Sequence, residues 1–315
     1  MNILLTGAGG PAVDVLWRHW ESKYQLHLVD CDIMKIHPAV PRNRVHSIPK
    51  ATDSAFVESI RRLVKDLDID LIISQVDEEL VKLKSLEAEN SQLMVMSPNI
   101  DFINMCLDKL ALGKQLSNDG VIEPGTKKLE TGLEFCGMPL ILKPAFGRGS
   151  RGVHLVSTEA QFDGLKKYLL SNDEVYVAQK YIDGAEFTVQ VISDQEGRIS
   201  AIVPLEVIEK RGSTTQCKTN IHPKIIETSA QVHALYRPAG TYNIQLIFDP
   251  VSDSAYIIEI NPRVSTTMCF SLELGIDPIE VYLDGSSNTV PEIPMKNLRL
   301  DRYWFNHFTP AASGE

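Results

Sequence analysis

The segments Tyr242-Asn-Ile-Gln-Leu-Ile-Phe248 and Tyr256-Ile-Ile-Glu-Ile-Asn-Pro-Arg263 carry the residues best suited to chemistry in this chain. Each alternates apolar and polar side chains, the period of a half-buried strand. Asp249-Pro250 and residues 252–254 supply turn chemistry between them, so the spacing predicts a β-hairpin. A turn centred on Ser252 sets Gln245 opposite Glu259 and Asn243 opposite Asn261. Residues two apart on a strand share a face, and opposed Cβ atoms stand about 4.5–5.5 Å apart. The four side chains then form a compact set of oxygen ligands, with Arg263 just past the strand end. Oxygen ligands of low total charge suit Mg²⁺, which keeps waters and takes substrate phosphates for the rest of its octahedron. A polar solvent face on an ordinary hairpin has the same pattern, and spacing alone leaves both readings open.

A second constellation lies upstream. Leu140-Ile-Leu-Lys-Pro144 runs into Ala145-Phe-Gly-Arg-Gly-Ser-Arg-Gly152. Glycines free the backbone to wrap an anion, and exposed amides can form a phosphate cradle. Gly147, Arg148, Gly149, Ser150 and Gly152 are therefore candidate phosphate contacts, Arg151 adds charge, and Lys143 could sit beneath the phosphates. The spacing is not that of a P-loop, and a strand is predicted to follow. A flexible hairpin tip with solvated arginines fits the same residues.

Two further motifs admit two readings each. Gly7-Ala-Gly-Gly-Pro-Ala12 fits the GxGxxA dinucleotide pattern, with Asp30 after the next strand near the expected ribose position. This supports an NAD(P)-dependent oxidoreductase, or only a tight strand-to-helix turn. Val76-Asp-Glu-Glu-Leu80 places acids in a helix's first turn, where they complement its dipole; such loops are also where α/β sheets bind ligands. Residues 177–191 read as strand, tight turn, strand, with Glu186, Thr188 and Gln190 on one face.

The elements that must position these residues change character along the chain. Residues 2–96 alternate predicted strands (2–5, 25–29, 71–74, 93–96) with helices (13–20, 54–67, 78–89), the pattern of an open parallel sheet. Pro98 marks a boundary. A helix is predicted at 108–116. Beyond Pro139 strands dominate (140–143, 153–156, 175–180, 186–192, 199–203 and the hairpin), interrupted by helices at 159–170 and 227–235. That is an α+β arrangement. The small polar tail, residues 311–315, is predicted to be disordered.

Bulk properties exclude several classes. The 315 residues predict roughly two domains with an ample core. The five cysteines are scattered without a CxxC pair, so structural zinc and a disulfide framework are not expected, and a cytoplasmic location is. A net charge of −10 argues against non-specific binding to nucleic acid or anionic membrane. No apolar run approaches the roughly 18 residues of a membrane span.

Taken in order, these pieces resemble the ATP-grasp superfamily, most closely half of the carbamoyl-phosphate synthase large chain and stand-alone carboxylate–amine ligases of the PylC type. The resemblance rests on Asp108-Lys109-Leu110, Ile141-Leu-Lys-Pro144 with its glycine loop, Gln179-Lys-Tyr-Ile182, Gly184-Ala-Glu186, Asn243-Ile-Gln245 and Glu259-Ile-Asn-Pro-Arg263. It implies an α/β N-terminal open parallel sheet (a pre-ATP-grasp domain, residues 1–98) followed by an α+β ATP-grasp fold of two lobes gripping the nucleotide. The first lobe, with its glycine-rich flap, would span 99–178, and the second, with the metal hairpin, 179–310. It implies ATP and Mg²⁺, with Mn²⁺ able to substitute. Lys109 and Lys143 would contact the α- and β-phosphates under a flap carrying Gly147, Arg148, Gly149, Ser150 and Gly152. Gln179, Lys180, Tyr181 and Ile182 would meet the adenine, and Glu186 the ribose. Gln245, Glu259 and Asn261 would hold the metal with Asn243 nearby, and Arg263 would steady the transferring phosphoryl group.

The implied reaction joins a small-molecule carboxylate, activated as an acyl phosphate, to an amine. Residues 206–220, with Arg211 and Lys218, are the expected acceptor side. A homodimer is common among such ligases. The chain departs from many relatives in carrying Gln245 where a third carboxylate stands, which should weaken metal binding. It shows one such unit and no long extension, so it is not expected to be a complete carbamoyl-phosphate synthase or biotin carboxylase. The alternatives are the nicotinamide-dependent oxidoreductase and an ATP-binding module without catalysis.

Overall fold

The computed structural model describes all residues except 134–136, 148, 286–290, 294–295, 304–305, 307 and 309–315. The expected disordered tail therefore lies outside the described residues. The chain opens with β1 (Asn2–Thr6), α1 (Val13–Trp20), β2 (Gln25–Asp30), β3 (Val45–Ser47), α2 (Phe56–Asp66), β4 (Leu71–Ser74), α3 (Leu80–Glu89) and β5 (Met94–Val95). Its strands form a five-stranded parallel sheet of order β3-β2-β1-β4-β5. Leu4, Val29 and Ile72 pack on one face against Phe56 and Ile60 of α2 and Leu83 of α3. Both faces of a parallel sheet are covered, which is why β4 reads as an unbroken apolar run.

Next come α4 (Ile100–Leu107), α5 (Lys109–Asn118), β6 (Lys127–Lys128), β7 (Leu140–Pro144), β8 (His154–Val156), α6 (Glu159–Leu169) and β9 (Tyr176–Lys180). The sequence reading missed α4: its capping Asn99, which accepts from the Phe102 amide, looked like part of a boundary turn. Strands β6, β9, β7 and β8 make a four-stranded antiparallel sheet, with Leu140, Leu142 and Ala178 packed on Phe162 and Leu169 of α6.

The remainder contains β10 (Ala185–Ser193), β11 (Ile199–Arg211), β12 (Ser213–Thr219), α7 (Pro223–Tyr236), β13 (Thr241–Asp249), β14 (Ser254–Asn261), α8 (Cys269–Glu273), α9 (Pro278–Asp284) and β15 (Arg299–Asp301). Its sheet has the order β14-β13-β10-β11-β12-β15. Strand β11 runs eight residues past its predicted end at 203 and turns at Gly212 into the unforeseen β12. The mixed sequence Glu206-Val-Ile-Glu-Lys-Arg211 hides its alternation because the ladder slips twice there. One face of this sheet packs on α4, α5 and α7 through Val189, Ile244 and Leu246. The other packs Val203, Leu205 and Cys217 into a core shared with Leu5 and Leu28 of the N-terminal sheet and Leu16 of α1. The parallel sheet is thus fixed against the last lobe by apolar burial, with its strand ends facing the hairpin.

Gly184 lies where the chain leaving β9 crosses the end of β13. A Cβ there would stand 2.0 Å from the Phe248 carbonyl oxygen. Gly184→Ala is therefore expected to push the hairpin off the inter-lobe crossing at a cost of about 1–3 kcal/mol. A thermal melt would show this as a lowered midpoint, and an unchanged midpoint would count against the close approach.

Candidate active site

The hairpin pairs as predicted at its functional end: Gln245 faces Glu259 and Asn243 faces Asn261. The route to that register was not foreseen. At the turn Asp249 pairs with Ser254 and Leu246 with Ile257, a register in which an unbroken ladder would set Gln245 against Ile258. A bulge at Ile258 inserts the extra residue and brings Glu259 into place. Without it Glu259 would point into the opposite, apolar face, because a one-residue slip reverses every side chain. The Ile258 carbonyl accepts a hydrogen bond of 3.0 Å from Lys143 Nζ. The irregularity that aims the carboxylate also anchors the buried cation.

Lys143 comes from β7 and is 7% exposed. Burial is the main cause holding its amine down to about 8, and repulsion by Lys109 and Lys210 adds to it; the attraction of Glu259 opposes it. Between about pH 8 and the ordinary lysine value of 10.5 Lys143 holds fewer protons in the folded chain than in the unfolded one. The contribution of this one group to stability therefore rises with pH across that window. A polyanion arriving beside Lys143 restores its proton. MgADP binding is expected to take up a fraction of a proton near pH 8.5 and to weaken as pH climbs further. Calorimetric titration in buffers of differing ionisation enthalpy measures that uptake, and zero uptake would contradict it.

Lys109 opens α5, whose first-turn amides of Leu110 and Ala111 are capped by Asp108 Oδ1. Its Nζ donates to the Gly147 carbonyl at 2.8 Å and stands 3.3 Å from Glu259 Oε1. Glu186 on β10 pairs with Lys210 Nζ at 2.7 Å, and the same ammonium donates to Gln245 Oε1 at 3.3 Å. Lys210 escaped the sequence reading, which assigned residues 206–220 to the acceptor side and named only Arg211 and Lys218 within them. The signal available was the run Glu209-Lys-Arg-Gly212, a basic pair before a glycine. Gln179 is buried, donating through Nε2 to Thr126 Oγ1 at 2.7 Å, and the Tyr181 amide donates to the Pro139 carbonyl at 3.1 Å.

These residues surround one cleft of about 350 Å³ between the two antiparallel sheets, a size in the range of small-molecule sites. Lys109, Lys143, Gly147, Gly149, Ser150, Gln179, Lys180, Tyr181, Ile182, Glu186, Asn243, Gln245, Glu259, Asn261 and Arg263 all line it. Gly152 does not: it packs at the flap root, where a Cβ would lie 3.0 Å from the Pro144 ring. Arg148 lies outside the described residues. Arg211 and Lys218 are also absent from the lining. Arg211 pairs with Glu209 on the surface, while Lys218 pairs with Glu206 beside a separate shallow groove. The bulges in β11 and β12 reverse which residues of this segment face inward.

The N-terminal turn is closed upon itself. Asp30 Oδ2 accepts from the Gly9 amide at 2.8 Å and Oδ1 from the Asp32 amide at 2.9 Å. A carboxylate committed to two backbone amides has little left for a ribose, which argues against the nicotinamide reading. The β4–α3 loop instead sends Asp77 to Arg263, with Oδ2 2.9 Å from Nε.

Comparison with known proteins decides the family. The model of the ATP-grasp domain matches residues 106–267, just over half of the chain. The chain belongs to the ATP-grasp family. Its relatives include the carbamoyl phosphate synthase large chain of Pyrococcus furiosus, 26% identical over 251 residues, a match covering 68% of this chain and 24% of that one. The chain thus spans about a quarter of that relative's length. Among solved structures, carboxyaminoimidazole ribonucleotide synthase from Aspergillus clavatus complexed with ATP superposes with a TM-score of 0.74 at 16% identity, covering 95% of this chain and 80% of that one. An L-amino acid ligase from Bacillus licheniformis gives 0.64 at 18%, covering 85% and 68%. The two-lobed ATP-grasp fold expected from the sequence therefore holds, and ADP-forming ligation with ATP and Mg²⁺ is the chemistry of that family. Among the described residues, no helix is long and apolar enough to cross a membrane.

The residues present fit a divalent cation. Ammonium groups stand on two of the three expected ligands, Lys109 on Glu259 and Lys210 on Gln245. Asn243 spends its amide nitrogen on Thr188 Oγ1 at 2.9 Å, leaving a buried Oδ1 with no hydrogen-bond partner. Among the described residues no three His, Cys, Asp or Glu side chains converge, which agrees with an oxygen site built mainly from amides.

Proposed function

We propose that this ATP-grasp chain is an ATP- and Mg²⁺-dependent ligase that activates a carboxylate as an acyl phosphate and joins it to an amine, releasing ADP and phosphate. The observation that carries the reading is the convergence of Lys109, Lys143, Arg263 and the Gln245–Glu259–Asn261 oxygens on one cleft. Mg²⁺, when bound by Gln245, Glu259 and Asn261, would neutralise terminal phosphate charge. Lys109 and Lys143 would hold the phosphates nearer the sugar, Lys180 to Ile182 would border the base, and Glu186 would receive the ribose hydroxyls once Lys210 turns to the phosphates. Arg263 would face the γ-phosphate, where charge develops as the carboxylate attacks. Phosphoryl transfer asks for positioning and charge compensation rather than covalent catalysis by the protein, and this cleft supplies both. The loop around Gly147 and Gly149 would exclude water that hydrolyses an acyl phosphate. A relationship in fold to an L-amino acid ligase supports carboxylate–amine joining.

The test is a screen of paired carboxylates and amines for ADP release, with mass analysis of the product. A dehydrogenase would instead be stabilised by nicotinamide cofactors and not by MgADP. A regulatory module would bind MgADP yet release no ADP with any pair. Either result would replace the ligase reading.

A further inference from the structure

We propose that Glu123 and Thr126 lock the side-chain amide of Gln179 so that its oxygen selects a 6-aminopurine nucleotide over a 6-oxopurine one. The proposal deepens the ATP reading of the cleft and rests on it. Gln179 lies on β9 directly opposite Ile141 of β7, and extending the β6–β9 register by one residue sets Thr126 on its other side. Its Nε2 donates to Thr126 Oγ1 at 2.7 Å. Thr126 Oγ1 in turn stands 2.6 Å from Glu123 Oε2, which also accepts from the Thr126 amide at 2.8 Å. The other oxygen, Glu123 Oε1, accepts from Ser117 Oγ of α5 at 2.9 Å. Thr126 is wedged against the same helix: a Cβ at Gly113 would stand 2.6 Å from Thr126 Cβ.

The direction of this relay follows from its protons. A carboxylate only accepts, and a hydroxyl carries a single proton. Thr126 therefore spends that proton on Glu123 and can only accept from Gln179. The atom facing Thr126 must then be the amide nitrogen, whichever way the amide would otherwise turn. Gln179 Oε1 is left over. It makes no hydrogen bond among the described residues, and Gln179, 4% exposed, lines the cleft. The neighbouring amides of Lys180 and Tyr181 are spent on the Pro124 and Pro139 carbonyls, so neither can donate to a base. The same cleft is lined by Ile141, Ile182, Ile247 and Ile258, apolar surface that suits a flat heteroaromatic ring. An acceptor oxygen beside such surface matches the exocyclic amine of adenine, which donates. It opposes the carbonyl of a 6-oxopurine, because two acceptors then meet with no proton between them. A site built to receive a donor rejects an analogue that lacks it, since the site's own polar atom is left unpaired. Glu123 and Thr126 stand behind the cleft wall and act only through Gln179, as positioning residues.

The experiment measures MgADP and MgIDP affinities by calorimetric titration and takes their ratio within each variant. Adenine and hypoxanthine share their shape and differ at the 6-substituent and the adjoining N1 proton; any contact at N1 enters every ratio equally. Wild type is expected to prefer ADP at least about tenfold, the scale of one hydrogen bond made against one acceptor left opposed. Thr126→Val removes the hydroxyl and frees the amide to turn its nitrogen toward a 6-oxo group, so the preference should fall to within about threefold. Glu123→Gln, which can donate to Thr126 and return its proton to Gln179, should move the ratio the same way. Thr126→Ser keeps the hydroxyl and should keep the preference. A purely structural role would weaken both nucleotides together and leave the ratio in place. A wild type that binds IDP as tightly as ADP would overturn the proposal without any variant. An unchanged ratio in Thr126→Val, or an equal loss in Thr126→Ser, would also overturn it. Binding of neither diphosphate by wild type would instead remove the ATP reading of the cleft, and this selection with it.

Discussion

Glu259→Ala is expected to abolish ATP turnover, with ADP release falling at least about 100-fold, the scale of removing a preorganised electrostatic group from an active site. The fold should persist. Glu259 is partly exposed, and its one described ion pair is with Lys109. Its loss leaves Lys109 and Lys143 facing one another without an intervening negative charge, so the Lys143 amine should fall further below its already lowered value. Glu259→Gln separates charge from geometry. It keeps the bulged backbone and leaves an all-amide ligand set, so activity should be recovered in part by raised Mg²⁺, whereas Glu259→Ala should not respond. Circular dichroism and ADP release measured on the same preparations check both halves. Turnover retained by Glu259→Ala would end the metal assignment.

Lys143→Met should divide stability from function. The ammonium is almost fully buried, and its one described hydrogen bond goes to the Ile258 carbonyl. Burying a cation is costly unless it is well paired, and replacing such a group with an apolar side chain of similar length is often neutral or stabilising. Orphaning the Ile258 carbonyl costs about 1–3 kcal/mol in return. The ligand-free variant is therefore expected to melt within a few degrees of wild type, or above it. MgADP affinity should drop at least about 100-fold, because a desolvated cation against phosphate is worth several times an exposed one. A thermal melt and a calorimetric titration decide it. Unaltered affinity would show that Lys143 is a structural lysine and not a phosphate ligand. Retained stability with lost affinity, the expected outcome, is the usual meaning of a site that is less stable than it could be: desolvation is tolerated where a ligand later relieves it.

The arrangement of the unliganded cleft has a further physical consequence. Lys109 and Lys210 stand on Glu259, Gln245 and Glu186, the groups assigned to metal and ribose. On the proposed assignment each lysine would exchange a protein oxygen for a phosphate oxygen when nucleotide and metal arrive. Both lining carboxylates, Glu186 and Glu259, thus stand on a cation before any ligand arrives, while the lining as a whole keeps a surplus of positive charge that suits a polyanion.

Much of this could be read along the chain because the decisive features are local. Alternation at Asn243-Ile-Gln245 and Glu259-Ile-Asn261, glycines at 147 and 149, and a lysine before a proline at 143 are all periodicities or short motifs. They report which way a side chain points relative to its own backbone, and the parallel sheet of β1, β2 and β4 was equally plain as apolar runs between helices. What escaped was decided by pairing. The bulge at Ile258 leaves no mark in composition, yet it determines which face Glu259 occupies. Lys210 sits in a strand whose alternation is broken by two slips of the ladder, so its inward orientation exists only once β12 lies beside it. Asp77 and Arg263 are separated by most of the chain and meet because a shared apolar core presses the N-terminal sheet against the last lobe. Local sequence thus set the inventory of ligands and their spacing along each strand. Tertiary packing alone chose their partners, because side-chain direction is a property of one strand whereas contact depends on the register and docking of two.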